Sequence, residues 1–209
     1  MNRHLEKENV LTGTLLLVCM LLFGCTLRAV QPVQYFSLLT MEQLEQTQPV
    51  GDHPELALGI GPITIPDSLK RSQIVTRVDG NQYQFNEFNR WAGVMEKDFL
   101  TVAGDNLGML LGTENIGYFP WQPAFTPGYR VVIDIQRFDG SLAGEAVLEV
   151  RWSFIGSSGT EMLTSGRSVY RMPVAESGYA GLVRAESQLV AELCKELAVT
   201  LENLIGKKG

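Results

Sequence analysis

The stretch Tyr129–Phe154, YRVVIDIQRFDGSLAGEAVLEVRWSF, decides the fold. Its first part sets Val131, Ile133 and Ile135 against Val132, Asp134 and Gln136. Its second part places Leu148, Val150, Trp152 and Phe154 on one side, with Glu149, Arg151 and Ser153 on the other. Successive side chains of a strand point to opposite faces, so one-sided alternation marks a sheet covered on a single face, as antiparallel sheets commonly are. Asp139-Gly140 begins the turn between the two runs, and Gly156-Ser157-Ser158-Gly159 turns the chain again into EMLTSGRSVYRM. The pattern predicts a three-stranded meander.

A covered face needs a cover. From Tyr179 to Ile205 the period changes, and Leu182, Ala185, Leu189, Leu193, Leu197, Leu201 and Leu204 form one apolar stripe of a helix. A second helical period runs from Trp91 to Leu111 through Met95, Phe99, Val102, Leu107 and Leu110, with Gly112 placed to end it. Gly93, Gly104 and Gly108 each weaken that helix by up to about 1 kcal/mol against Ala, yet they permit close packing on a sheet. The expectation is an α+β fold: a mainly antiparallel sheet with two principal helices packed on one face.

Upstream, Tyr35–Leu39 and Glu55–Ile65 read as strands, separated by a polar loop from Thr40 to Pro54. Gln73–Val78 and Gln82–Phe85 flank Asp79-Gly80-Asn81, a hairpin signal because Gly and Asn accept positive φ. After the first helix comes an aromatic and proline-rich loop, Tyr118-Phe119-Pro120-Trp121-Gln122-Pro123. Two readings stand side by side. Tyr118, Phe119 and Trp121 contact a partner, or the loop folds back over the sheet edge with Trp121 in the core.

The N-terminus has a different character. Residues 1–10 are mostly polar, with Arg3 and Lys7 offset by Glu6 and Glu8, and residues 11–23 form a mostly apolar run. That run is well short of the roughly 20 apolar residues that a spanning helix needs. Gly24 and Cys25 follow it. A basic start, a short apolar core and a small residue at the end make residues 1–24 a secretory signal peptide. Leu-x-Gly-Cys resembles the bacterial lipobox, although Phe23 is bulkier than the Ala or Ser usual there. Gly24 and Cys25 then flank the signal-peptidase cut, and Cys25 carries a diacylglycerol and an N-acyl chain such as palmitate. One acyl chain anchors only reversibly, at about 0.8 kcal/mol per buried methylene, so several are needed for a permanent hold. Residues 25–34 become a lipidated tether, and residues 35–206 a single α+β periplasmic domain.

Composition narrows the chemistry. The net charge is −6, without basic stripes, which argues against nucleic acid as a partner. Cleavage removes Cys19, lipidation occupies Cys25, and Cys194 sits in the apolar pattern of the last helix, so no intramolecular disulfide can form. With His4 gone, His53 remains as a lone loop histidine, and the usual zinc sets cannot be assembled. Gly59-Ile60-Gly61-Pro62 begins like a dinucleotide loop, but Thr64 stands where the third glycine belongs. The serines of GSSGT lack a nucleophile elbow. The expectation is no enzyme, no metal and no cofactor, with a hydrolase using a carboxylate-bound metal as the competing class.

One longer match remains. GIGPITIPDSLKRSQIVTRVDGNQYQFNEFNRWAGVMEKDFLTVAGDNL, from Gly59 to Leu107, resembles the PqiC family of bacterial lipoproteins. Its landmarks are Tyr35 and Leu38, Ile65-Pro66-Asp67 with Leu69, Arg71 to Arg77, Asn89-Arg90-Trp91-Ala92, and Tyr118-Phe119-Pro120-Trp121. Family members commonly carry an acidic residue after Trp-Ala, where this chain has Gly93 and Val94. The resemblance implies an auxiliary lipoprotein of an MCE-type (mammalian cell entry) ABC lipid-transport system. Such a protein is anchored in the outer membrane, faces the periplasm and docks an MCE-domain protein for phospholipid movement. It also admits a homo-oligomer. Thr26, not Asp, after the lipidated cysteine favours outer-membrane sorting. The alternative is a structural lipoprotein of another outer-membrane assembly or secretion complex.

The anchor has a direct check. Intact-mass analysis of membrane-extracted protein should show a chain beginning at Cys25 with added acyl mass; an unmodified full-length chain would contradict the lipobox reading.

Overall fold

The computed structural model describes residues 31–46 and 48–207. Gly24, Cys25 and Thr26, the expected cleavage, lipidation and sorting positions, lie outside the described residues. The chain divides at Pro32 and Val33 into an N-terminal unit and a larger unit, which holds all the elements described below.

The elements of the larger unit are β1 (Gln34–Phe36), β2 (Leu58–Thr64), β3 (Gln73–Asp79), β4 (Gln82–Trp91), α1 (Met95–Leu111), β5 (Ile116–Tyr118), β6 (Tyr129–Gly140), β7 (Glu145–Gly156), β8 (Met162–Pro173) and α2 (Tyr179–Gly206). The predicted meander is present as β6–β7–β8, two long antiparallel ladders in which Val131 pairs with Phe154 and Trp152 with Gly166. Hairpin β3–β4 is antiparallel as well. The sheet as a whole is mixed: β1 lies parallel to β4, β5 to β2, and β2 to β6. Parallel neighbours need a crossover, and the hairpin and α1, inserted between β2 and β5, provide it. Alternation reports which face a residue takes; it carries no strand direction.

Both helices cover the same face. Leu148, Val150, Trp152 and Phe154 of β7 are buried in one cluster with Leu182, Leu189, Leu193, Leu197 and Leu201 of α2 and Phe99, Leu107 and Leu110 of α1. Phe99 meets Phe138 of β6 edge-to-face, with ring centroids 5.7 Å apart. Cys194 is fully buried, as its place in the leucine stripe predicts.

Helix α1 starts later than its period predicts. Trp91 ends β4 instead of opening the helix: it pairs with Phe36, and its N–H donates to the Ser72 carbonyl at 2.7 Å. Backbone pairing on both sides outweighs the helical spacing of its side chain. At the other end Gly112 adopts φ 64° and closes the helix, as expected. Strand β1 is shorter than predicted because the helices take its continuation. The Leu38 N–H donates to Asp98 Oδ2 at 2.8 Å, Leu39 N–H to Ser187 Oγ at 3.0 Å, and Met41 N–H to Asn106 Oδ1 at 2.7 Å.

Strand β8 lacks a strong apolar row and docks on α2 through polar groups. The Trp152 indole N–H donates to Ser168 Oγ at 3.1 Å, Ser168 donates to Glu196 Oε1 at 2.8 Å, and the Tyr170 hydroxyl donates to the other oxygen of Glu196. Burial and this carboxylate together push the Tyr170 phenol up.

Glu186 of α2 is 1% exposed, and its Oε2 has no hydrogen-bond partner among the described residues. Burial holds its carboxyl well above the usual carboxylate range, with the Asp139 charge adding to the effect. The folded chain therefore keeps a proton that the unfolded chain gives up above about pH 4.3. That contribution is fully present below this pH and is lost as pH rises toward the folded-state value. Glu186→Gln should make stability fall less steeply between about pH 5 and about pH 8 than in the parent. Urea midpoints across that range test it, and superimposable profiles would contradict it.

Candidate functional site

The aromatic-proline loop hangs from an edge of the sheet. Strand β5 borders β2 on that side, and the Phe119 N–H donates to the Ile60 carbonyl at 2.9 Å, one step past the ladder. The Phe119–Pro120 peptide is cis, and the chain turns back there. Three rings then settle where the backbone has no side chain: Trp121 over Gly59, Tyr118 over Gly104 of α1, and Phe125 over Gly117. A Cβ at any of these glycines would collide with the ring above it. Phe119 meets Trp121 edge-to-face at 5.5 Å, and Trp121 and Phe125 are 6.2 Å apart.

This geometry combines the two readings of the loop. Trp121 folds back and is half-buried, while Phe119 remains 45% exposed and Tyr118 37%. Between them lies a cleft of about 390 Å³ bounded by Ile116, Tyr118, Phe119, Pro120, Gln122 and Phe125. The Tyr118 hydroxyl donates to Asp105 Oδ1 at 3.2 Å. Burial first, and then the Asp105 charge and this bond, push the phenol up to about 12. Tyr118 is therefore held as a neutral donor. The Arg130 guanidinium sits 5.7 Å from the Trp121 ring centre, within cation–π range. The sequence pattern alone does not mark Gly104, Asp105 or Arg130 as parts of a site. The glycines in the strand GIGPIT carry the available signal, since an isolated glycine in a strand marks a close approach.

His53 is not a free loop residue. Its Nε2 lies 2.7 Å from Glu202 Oε1 of α2. The same loop satisfies the end of α1: the Val50, Gly51 and His53 N–H groups donate to the carbonyls of Leu110 and Leu111. That is a structural role for the segment. The Cys194 thiol, pushed up to about 12 by burial, is unsuited to act as a nucleophile at neutral pH. Among the described residues, no group of three or more His, Cys, Asp and Glu side chains is placed to hold a metal ion. No helix among them is long and apolar enough to cross a membrane.

Residues 36–198 match the family model described as the ABC-type transport auxiliary lipoprotein component. The chain belongs to this family. That agrees with the PqiC resemblance carried by the Gly59–Leu107 stretch. Two crystal structures share the fold. One, of an uncharacterised protein, is 17% identical with a TM-score of 0.66, over 81% of this chain and 99% of that one. The other, a Xanthomonas campestris protein of the DUF330 family, is 13% identical with a TM-score of 0.65, over 84% of this chain and all of that one. No curated protein sequence matches this chain significantly. As an auxiliary transport lipoprotein of the cell envelope, the chain works beside other proteins of a transport system.

The seat of Trp121 can be tested on its own. In Gly59→Ala the new Cβ would lie 2.8 Å from the Trp121 ring, with Pro127 behind it, so the ring must move outward. Trp91 and Trp152 are buried, so a red shift in tryptophan emission reports this displacement. Overpacking of this kind should cost about 1–3 kcal/mol of stability. An unchanged spectrum would place the ring elsewhere.

Proposed function

We propose that this protein is a non-enzymatic adaptor of a trans-envelope, MCE-type phospholipid transport system. It is held in the outer membrane by acyl chains on Cys25 and faces the periplasm. In this reading its chemistry is anchoring and recognition, with no bond made or broken and no cofactor beyond the acyl groups. Thr26 permits sorting to the outer membrane. An MCE-domain protein docks at the loop Tyr118–Trp121, where Phe119 offers an apolar anchor point, Tyr118 a fixed hydrogen-bond donor and Arg130 a cation behind Trp121. Exposed aromatic side chains beside a cleft are typical of interface hot spots. The observation that supports the reading most is the family match over residues 36–198.

The experiment is site-specific photo-crosslinking in intact cells. A photoreactive phenylalanine analogue at Phe119 should capture an MCE-domain protein. The same analogue at Val169 of β8, which is similarly exposed at 46%, should not. Capture of a subunit of a secretion or assembly complex instead would replace this function with the structural alternative. An adduct with a second copy of the chain would make the loop a subunit contact.

A further inference from the structure

Hairpin β3–β4 extends beyond the rest of the sheet. Strand β3 touches β6 only where Thr76 meets Gly140, and β1 borders β4 only along Asn89–Trp91. The outer part of the hairpin is therefore paired only with itself. It carries Val78 at 54% exposure, Tyr83 at 42% and Phe85 at 37%. Two cations lie over its rings. The Arg71 guanidinium lies 4.2 Å from the Phe85 ring centre, and that of Arg77 lies 4.4 Å from the Tyr83 ring centre. Arg77 is fixed in place by Asp139 on β6, its Nη2 2.9 Å from Oδ2. The Tyr83 and Phe85 rings stack at 6.4 Å.

The direction of β1 says what this surface faces. Because β1 runs parallel to β4, with Gln34 opposite Asn89, the chain enters β1 from the side of the hairpin turn. From Asn89 back to Gln82 the strand covers about 23 Å at about 3.3 Å per residue. From Cys25 to Gln34 the tether spans at most about 30 Å when fully extended. A lipid anchor on Cys25 therefore keeps the hairpin end of the domain near the bilayer.

We propose that the outer end of the β3–β4 hairpin rests in the headgroup layer of the membrane that holds the Cys25 anchor. This rests on the anchoring reading above. Tyrosine is enriched at the membrane–water boundary, where the ring meets acyl chains and the hydroxyl meets water. Arg71 lays its side chain along the Phe85 ring and keeps its guanidinium among phosphates, while the Arg77 guanidinium is held by Asp139, the Gly80 carbonyl and the Tyr83 hydroxyl and serves to fix the Tyr83 ring. The free edge of β4 suits this layer too, because headgroups and water satisfy backbone groups that the hydrocarbon core cannot.

The test uses the mature lipidated protein in vesicles of phosphatidylethanolamine and phosphatidylglycerol. Single cysteines at Val78→Cys and, separately, Phe85→Cys carry an environment-sensitive fluorophore, with Val169→Cys as the control on β8. Cys194 is buried and does not compete for label. Val78→Cys leaves both stacked rings in place, so the result does not depend on the Phe85 variant folding. The expected result is several-fold stronger quenching by bilayer-embedded brominated lipid at positions 78 and 85 than at 169, with reduced access to aqueous iodide. Equal lipid quenching at all three positions overturns the proposal. Protection from iodide without lipid quenching also overturns it, and assigns the surface to a protein partner or a second copy. Flotation separates the two readings. Protein that floats with vesicles but shows no lipid quenching loses the hairpin contact alone. Protein that does not float loses the anchor, and the hairpin contact with it.

Discussion

The leucine stripe of α2 against the inner face of β7 is the contact on which the other elements depend. Leu182, Leu189, Leu193, Leu197 and Leu201 are fully buried, and so are Leu148, Val150 and Phe154 opposite them. Burying each such side chain contributes about 1.5–3 kcal/mol, and the apolar row of β7 is only half of a core without the helix. The consequences spread outward. Strand β6 pairs with β7, β2 then lies along β6, and α1 fills the space beside α2 over β2 and β5. Strand β8 has no such row. It holds its place by a ladder to β7 and by the chain of polar contacts from Trp152 through Ser168 to Glu196.

Covering one face also decides where recognition can occur. The helices occupy the inner face, so the aromatic groups left over collect at the sheet borders. On one border the loop after β5 folds back and seats its rings on Gly59, Gly104 and Gly117. On the same side of β6, past its far end, the β3–β4 hairpin runs free of other strands and keeps Tyr83 and Phe85 against arginines. On the opposite side of β6, strands β7 and β8 carry charged pairs, with Glu149 3.5 Å from Arg167 and Glu145 paired with Arg171.

Much of the fold was legible from period alone. The meander, the terminal helix and the C-terminal stop at Gly112 follow from two-residue and 3.6-residue spacings and from glycine; the hairpin turn is where Asp79–Asn81 places it, although neither Gly80 nor Asn81 takes the positive φ expected of them. What failed depended on contacts between segments distant in the chain. Trp91 has helical spacing from Met95 yet ends a strand, because Phe36 and Ser72 hold its backbone. The parallel pairings of β1, β2 and β5 leave no trace in alternation. Within the candidate site, Tyr118, Phe119 and Trp121 could be chosen for their aromaticity. Asp105 and Arg130 could not, since an ordinary charged residue gains meaning only from the ring beside it. His53 shows the same limit, because its partner Glu202 lies 149 residues away.

The N-terminal segment of the domain is fastened in an unusual way. After three residues of strand, the backbone N–H groups of Leu38, Leu39 and Met41 are taken by Asp98 and Asn106 of α1 and by Ser187 of α2. Under the proposed anchoring through Cys25, this would be a mechanical joint. Tension on the tether is shared between the β1–β4 ladder and side chains from both helices, and is not concentrated on a single terminal strand. Peeling β1 away would leave three N–H groups still clipped to the packed centre of the domain. A load-sharing attachment of this kind would let the envelope pull on such an anchor without unravelling the sheet from its edge.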